Sequence, residues 1–126
     1  MALIDADPYS KRVIGCAIEV HKTLGPGLLE SIYEAALCQE LNSVGLGFVR
    51  QQKLPVVYKG QALDCEFRMD LVVENALVVE IKAVQALLPL HEAQLLTYLK
   101  LSGLRAGLLL NFSEVRLIDG IRRLLL

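Results

Sequence analysis

The segment Ala76–Val84, which reads Ala-Leu-Val-Val-Glu-Ile-Lys-Ala-Val, constrains the fold of this chain more than any other feature. It is apolar except at Glu80 and Lys82, a pattern typical of a central strand that is buried on both faces. Buried glutamate and lysine need compensation, because an unpaired buried charge is costly. Strand alternation places Glu80 and Lys82 on one face and Ile81 on the other. The segment therefore predicts a central strand that carries a charged site.

A second acid, Asp70, lies in the apolar stretch Phe67–Val73 of the preceding predicted strand, and residues 74–75 predict a hairpin between the two strands. Two carboxylates that converge on one face form a hard oxygen site suited to Mg²⁺ or Mn²⁺. A regular two-residue turn would place Val79 opposite Asp70 and direct the two carboxylates to opposite faces. We therefore predict a three-residue loop or a bulge between Asp70 and Glu80.

Glu80 and Lys82 also have a plainer interpretation, which is a structural ion pair inside the sheet. The upstream Asp70 and the apolar setting favour a catalytic site instead. A lysine beside two carboxylates can orient an attacking water or stabilise charge that develops on a phosphate. The pattern therefore favours phosphate chemistry over a structural pair.

Two predicted helices carry polar residues four positions apart, which places each pair on one helix face. Gln94 and Tyr98 can contact a metal site, a phosphate or a terminal base, although an ordinary amphipathic boundary also explains them. Glu30 and Glu34 can reach the acidic cluster, although a glutamate near a helix start is usually a surface residue favoured by the helix dipole. His91 shares the face of Gln94 and has no partner at metal-ligand spacing, so no zinc site is predicted.

The remaining pattern predicts an α/β (α+β) fold with a mixed central sheet flanked by helices, in the order ααβββαββ. Pro55 indicates an edge position or a bulge in the first strand. The predicted helices are Asp7–Leu24, about Leu28–Val44, and Pro89–Ser102. The predicted strands are Val49–Tyr58, Leu63–Val73, Ala76–Val84 and Arg105–Phe112, followed by one strand or strand pair over Val115–Leu126.

Composition supports one domain over residues 1–126, of which 54% are hydrophobic, with a mean hydropathy of +0.46. These values indicate buried strands, a buried subunit interface such as that of a homodimer, or both. The apolar runs fall short of the roughly 18 residues that cross a bilayer, so no membrane span is predicted. Met1 to Pro8 has two aspartates and no basic residue, which argues against a secretory signal.

Cys16, Cys38 and Cys65 are widely spaced and predict buried free thiols in a reducing cytoplasm.

The formal net charge of −1 and the isoelectric point near 6.1 restrict the nucleic-acid partner. Proteins that grip long duplex DNA electrostatically are usually basic, so this charge argues against coating of duplex. It argues less against an enzyme, which can use a metal and a few local basic residues. Tyr9, Tyr58 and the phenylalanines form no aromatic stripe of the kind that binds runs of single-stranded bases.

The segment Gly27–Tyr33, Gly-Leu-Leu-Glu-Ser-Ile-Tyr, resembles the motif that names the GxxExxY family of the PD-(D/E)XK nuclease-like superfamily. The resemblance covers nearly the whole chain. Gln94 and Tyr98 are similar to the QxxxY motif of RecB-type exonucleases in that superfamily. The other segments that carry the resemblance are Arg68–Leu71, Glu80–Lys82, His91–Lys100 and Leu109–Phe112.

The resemblance implies a restriction-endonuclease-like core and a role for each residue of the charged site. Asp70 and Glu80 are implied as metal ligands, with the backbone carbonyl of Ile81 as a third. Lys82 is implied as the catalytic lysine, and Glu30 as an acid contributed by a helix. Gln94 and Tyr98 are expected to support the site.

The leading hypothesis is a metal-dependent nuclease that uses Mg²⁺ or Mn²⁺ to hydrolyse phosphodiester bonds in nucleic acid. One alternative is a catalytically silent, nuclease-like module that binds nucleic acid or has a regulatory role. Such a module would work with a partner protein to reach substrate. A third hypothesis is a metal-binding homo-oligomer that acts on a small phosphorylated molecule. The pattern leaves open the choice between DNA and RNA and between exonuclease and endonuclease activity.

Overall fold

A computed structural model describes residues 7–126, so most of the segment used to argue against a secretory signal lies outside the described residues. The described helices are α1 (Ser10–Leu24), α2 (Glu30–Ser43) and α3 (Pro89–Ser102). The strands are β1 (Phe48–Tyr58), β2 (Gln61–Val73), β3 (Leu77–Lys82), β4 (Ala106–Asn111) and β5 (Ile121–Leu125), and a 3₁₀ helix, Leu117–Gly120, precedes β5. Within this range the predicted order ααβββαββ is confirmed.

The strands described in residues 7–126 form one sheet in the order β1-β2-β3-β4-β5. The pairs β1/β2, β2/β3 and β4/β5 are antiparallel, whereas β3 and β4 are parallel. α3 makes the crossover that joins the two parallel strands. The predicted mixed sheet is therefore confirmed. Pro55 lies on the edge strand β1 beside a register shift, where the absence of an N–H group is tolerated.

The core is divided between the two faces of the sheet, because side chains alternate along each strand. The odd-numbered residues of β3 pack with α1 and α2, whereas Val78 packs with α3. α3 lies very close to β4 at Gly107, where an added Cβ atom would be 2.9 Å from the side chain of Leu95. β3 is thus the central, doubly buried strand that the apolar pattern predicts.

Three local features differ from the sequence prediction. α1 begins at Ser10, although the Asp7 carboxylate accepts hydrogen bonds from the N–H groups of Tyr9 (2.9 Å) and Ser10 (3.1 Å), as a capping aspartate does. The C-terminal segment forms a 3₁₀ helix and one strand. Cys16 and Cys38 are buried free thiols, but Cys65 is exposed because it lies on the half of β2 that projects with β1 away from the core.

None of the helices described in residues 7–126 is long and apolar enough to cross a membrane.

Candidate active site

The loop between β2 and β3 determines whether the two predicted metal ligands can meet. Val73 pairs with Leu77 in this hairpin, so three residues, 74–76, form the connection. Glu74 and Asn75 both adopt a left-handed backbone with φ of 51°. Of the two predicted alternatives, a three-residue loop or a bulge, the structure has the three-residue loop. The same register continued past the Leu71/Val79 pair places Asp70 opposite Glu80.

Two hydrogen bonds join Asp70 to Glu80 and Ile81 of β3. The Asp70 N–H donates to Glu80 Oε2 at 2.8 Å, and the Ile81 N–H donates to Asp70 Oδ2 at 2.8 Å. Met69 packs on the α3 side of the sheet whereas Leu71 packs on the α2 side, so the alternation of side chains along β2 is interrupted at Asp70. The two carboxyl groups lie just beyond the Leu71/Val79 pair, at the point where β2 and β3 separate.

Glu80 is buried, with only 3% of its surface exposed. Among residues 7–126, no lysine, arginine or histidine forms an ion pair with Glu80 or Asp70. Burial and, to a smaller extent, the nearby charge of Asp70 raise the pKa of Glu80 to about 8. The hydrogen bond from the Asp70 N–H and the charge of Lys82 oppose the shift only in part. A cation between the two acids would remove this penalty.

The oxygen atoms at this point suit a small, hard cation. The backbone carbonyl of Lys82 accepts a hydrogen bond from the Phe112 N–H in the segment after β4, whereas the Ile81 N–H donates toward β2. Because the N–H and C=O groups of a strand residue point to the same side, the Ile81 carbonyl also faces β2 and Asp70. No group of three or more His, Cys, Asp or Glu side chains in the described range could hold a metal. Two carboxylates and a carbonyl, completed by water, are a donor set that Mg²⁺ accepts.

Lys82 and Gln94 lie together at a cavity of about 490 Å³ between β2, the end of β3 and α3. Tyr98 is buried beside it, and its ring is 5.3 Å from that of Phe67. Burial, followed by the charges of Glu80 and Asp70, raises the pKa of Tyr98 to about 12, so its hydroxyl stays protonated at neutral pH. The other residues that line the cavity are Phe67, Leu90, His91, Ala93 and Thr97.

His91 has a structural contact that the sequence analysis did not foresee. Its Nδ1 atom accepts a hydrogen bond from the N–H of Leu88 at 2.9 Å, which caps the first turn of α3. The contact fixes the imidazole ring at the rim of the cavity.

The two glutamates of α2 make different contacts. Glu30 is exposed, and its Oε2 accepts a hydrogen bond from the Ala83 N–H at 3.3 Å, just beyond the end of β3. Glu34 is 7% exposed and accepts hydrogen bonds from Arg50 Nε at 3.0 Å and Gln51 Nε2 at 2.8 Å. Through Gln51 it is Glu34, rather than Glu30, that is linked to the acidic pair.

Gln51 is the functional candidate that the sequence analysis missed. Its Nε2 atom lies 3.3 Å from Asp70 Oδ1 as well as 2.8 Å from Glu34 Oε1. Its backbone φ is 50°, and the ladder between β1 and β2 omits the Gln51/Asp70 pair while its neighbours on both sides remain paired. A left-handed glutamine in a strand has no sequence signature, because that conformation is uncommon outside glycine, asparagine and aspartate.

Tyr33, the last residue of the Gly27–Tyr33 segment, has a structural role. Its hydroxyl donates to the Gly25 carbonyl at 2.5 Å and accepts from the Leu28 N–H at 3.1 Å. Its ring stacks on Phe112, with ring centres 4.5 Å apart. Tyr33 therefore closes the turn between α1 and α2, and α2 meets the sheet with Glu30 beside the end of β3 and Glu34 beside β1.

The chain matches a known protein family over nearly its whole described length. A family model described as the PD-(D/E)XK nuclease superfamily matches residues 7–124, which include β1 to β4, β5 up to its last residue but one, and every residue of the predicted site. No curated protein and no solved structure matches the chain. The finer resemblance to the GxxExxY family stays a prediction.

Proposed function

Because the chain belongs to the PD-(D/E)XK nuclease superfamily, we propose that it is a divalent-metal-dependent nuclease and that residues 1–126 form one nuclease domain. Proteins of this superfamily typically act on nucleic acid with the help of a divalent metal. The observation that carries the proposal is the pair Asp70 and Glu80, in which a buried carboxyl group faces a second acid without a basic partner in the described residues. Such a pair is costly in an apoprotein and favourable around a cation.

Asp70, Glu80 and the Ile81 carbonyl would hold Mg²⁺ or Mn²⁺. The metal supplies Lewis acidity at the phosphate when it is bound. The N–H groups of Asp70 and Ile81 hold Glu80 Oε2 and Asp70 Oδ2, respectively. The oxygens that remain for ligation are Glu80 Oε1 and Asp70 Oδ1, the second of which lies 3.3 Å from Gln51 Nε2. This arrangement limits the side-chain ordering that metal binding requires.

Lys82 extends from the same face of β3 as Glu80, toward the cavity. In the proposed reaction its ammonium orients the attacking water or stabilises the negative charge that develops on the phosphate. Gln94 can donate to a phosphate oxygen from the cavity wall. Tyr98 keeps its hydroxyl proton near the acids. Glu30 supports the site by anchoring the backbone just after Lys82.

The test is cleavage of labelled DNA and RNA by purified protein with Mg²⁺, with Mn²⁺ or with a chelator. We expect metal-dependent cleavage that falls at least 100-fold in Asp70→Asn and in Lys82→Gln, because each removes a group that acts on the reacting phosphate. Lys100→Gln, an exposed change at the other end of α3, is the matched control and should retain full activity. Cleavage that persists unchanged in Asp70→Asn would assign the activity to a contaminant.

A further inference from the structure

The cavity beside the acidic pair has the size and chemistry of a binding site. Its volume of about 490 Å³ lies within the roughly 300–1,000 Å³ of small-molecule sites. Phe67, Leu90 and Ala93 give it apolar walls, while Gln94 provides an amide that forms no hydrogen bond with residues 7–126. Lys82 connects it to the acids, since it lies two residues after Glu80 on the same strand face.

Phe67 is held as a rigid aromatic surface in this cavity. It precedes Asp70 by three residues on β2, and its ring is tilted by 57° against the buried ring of Tyr98. A half-buried ring that is fixed on one side and open to a cavity on the other can stack on a flat ligand at little cost in side-chain entropy.

We propose that this cavity binds one unpaired nucleobase beside the scissile phosphate, so that the preferred substrate is single-stranded nucleic acid. The inference rests on the proposed nuclease function, because the phosphate attached to that base must lie at Asp70 and Glu80. The base face would stack on Phe67, and its edge would exchange hydrogen bonds with the Gln94 amide. A base inside a regular duplex cannot enter such a cavity unless it is first flipped out of the stack.

Charge on the chain agrees with a single-stranded substrate. Tight binding to duplex uses many phosphate contacts from lysine and arginine, whereas this chain has a net charge of −1. The cavity lining includes Lys82, whose ammonium can contact one phosphate. Stacking in the cavity supplies affinity that does not depend on a broad basic surface.

The test measures fluorescence anisotropy of a labelled single-stranded oligonucleotide and of the same sequence as a blunt duplex, both in chelator. We expect the single strand to bind more tightly than the duplex. Phe67→Leu should weaken single-strand binding roughly 10-fold, the middle of the range for loss of one stacked base. Phe67→Tyr keeps the ring and should restore binding. Because Phe67 also contacts the core, Ala93→Leu provides a second variant that fills the cavity from the surface of α3. Ala35→Leu, an exposed change on α2, is its matched control.

Weaker single-strand binding in both Phe67→Leu and Ala93→Leu, with wild-type binding in Phe67→Tyr and Ala35→Leu, supports the base site. Duplex binding that equals or exceeds single-strand binding overturns it, as does unchanged binding in Ala93→Leu. Cleavage with Mn²⁺ is measured on the same samples. Cleavage with an unchanged KM in Ala93→Leu rejects the base site and leaves the nuclease proposal standing. The expected binding pattern without cleavage rejects the nuclease proposal and leaves the base site standing.

Discussion

Burial of Glu80 opposite Asp70 costs free energy that one backbone hydrogen bond offsets only in part. The raised pKa means that, near neutral pH, the metal-free fold holds a proton on Glu80 that the unfolded chain has already released. The unfolded state therefore binds fewer protons between the usual glutamate pKa and about 8, and stability falls as pH rises through that window.

For the metal-free protein we expect the free energy of unfolding to fall by roughly 2 kcal/mol between pH 5 and pH 7 because of this group. Glu80→Gln should remove that part of the pH dependence, since its amide stays neutral. Urea unfolding of both proteins in chelator at the two pH values measures the difference. Asp64→Asn, an exposed acid on β2, serves as control and should keep the wild-type slope. If the free energy of unfolding changed equally between pH 5 and pH 7 in the wild type and in Glu80→Gln, the raised pKa of Glu80 would be contradicted.

Gln51 is a residue whose role depends on its backbone as much as on its amide. Its φ of 50° breaks the β1–β2 ladder opposite Asp70 and lets Nε2 bridge Asp70 and Glu34. We expect Gln51→Gly to weaken Mn²⁺ binding about 10-fold, the lower end of the range for loss of a group that orients a ligand. Glycine accepts the left-handed backbone, so the fold should persist.

Calorimetric titration with Mn²⁺ measures this effect. Lys59→Gly is the matched control, because Lys59 has a φ of 49° in the β1–β2 turn and no contact with the acidic pair. A dissociation constant for Gln51→Gly within twofold of that of Lys59→Gly would show that Gln51 does not position Asp70.

At the scale of elements, the alternation of side chains along the strands was enough to predict either a three-residue loop or a bulge between Asp70 and Glu80. Asp70 and Glu80 can lie opposite each other only when an odd number of residues forms the connection, and that number is three. The link from Glu34 could not be predicted in the same way, because it depends on how α2 packs across the sheet. Helical spacing was equally consistent with Glu30 or Glu34 reaching the acidic pair. The contacts of Tyr33 with Gly25 and of Arg50 with Glu34 fix the orientation of α2 that brings Glu34 close.

α3 reaches its place because Gly107 lets the helix lie close to β4. Gly107→Ala should destabilise the fold by about 1–3 kcal/mol, as overpacking of a core does, since the new methyl group meets the Leu95 side chain. The double variant Gly107→Ala/Leu95→Ala should lose less than the sum of the two single changes. Thermal or urea unfolding of the four proteins measures the coupling, and strict additivity would show that the close approach carries no strain.

At the scale of the whole molecule, one site draws residues from both faces of the sheet. α2 contributes Glu34 from one face, and α3 contributes Gln94 and Tyr98 from the other. The alternation of side chains along β2 is interrupted at Asp70, where these contributions meet. Large apolar side chains such as Leu29 and Val115 remain exposed, and the homodimer and the protein partner stay predictions.

The most direct test of the metal centre is a crystal structure of the protein soaked in Mn²⁺, with anomalous diffraction used to locate the ion. We expect one strong anomalous peak within about 2.5 Å of an Asp70 oxygen, a Glu80 oxygen and the Ile81 carbonyl oxygen, the range for hard cations with oxygen ligands. The same soak of Asp70→Asn should lose the peak. No peak at Asp70 and Glu80 in the wild-type protein, or a peak at a site that involves neither residue, would contradict the account.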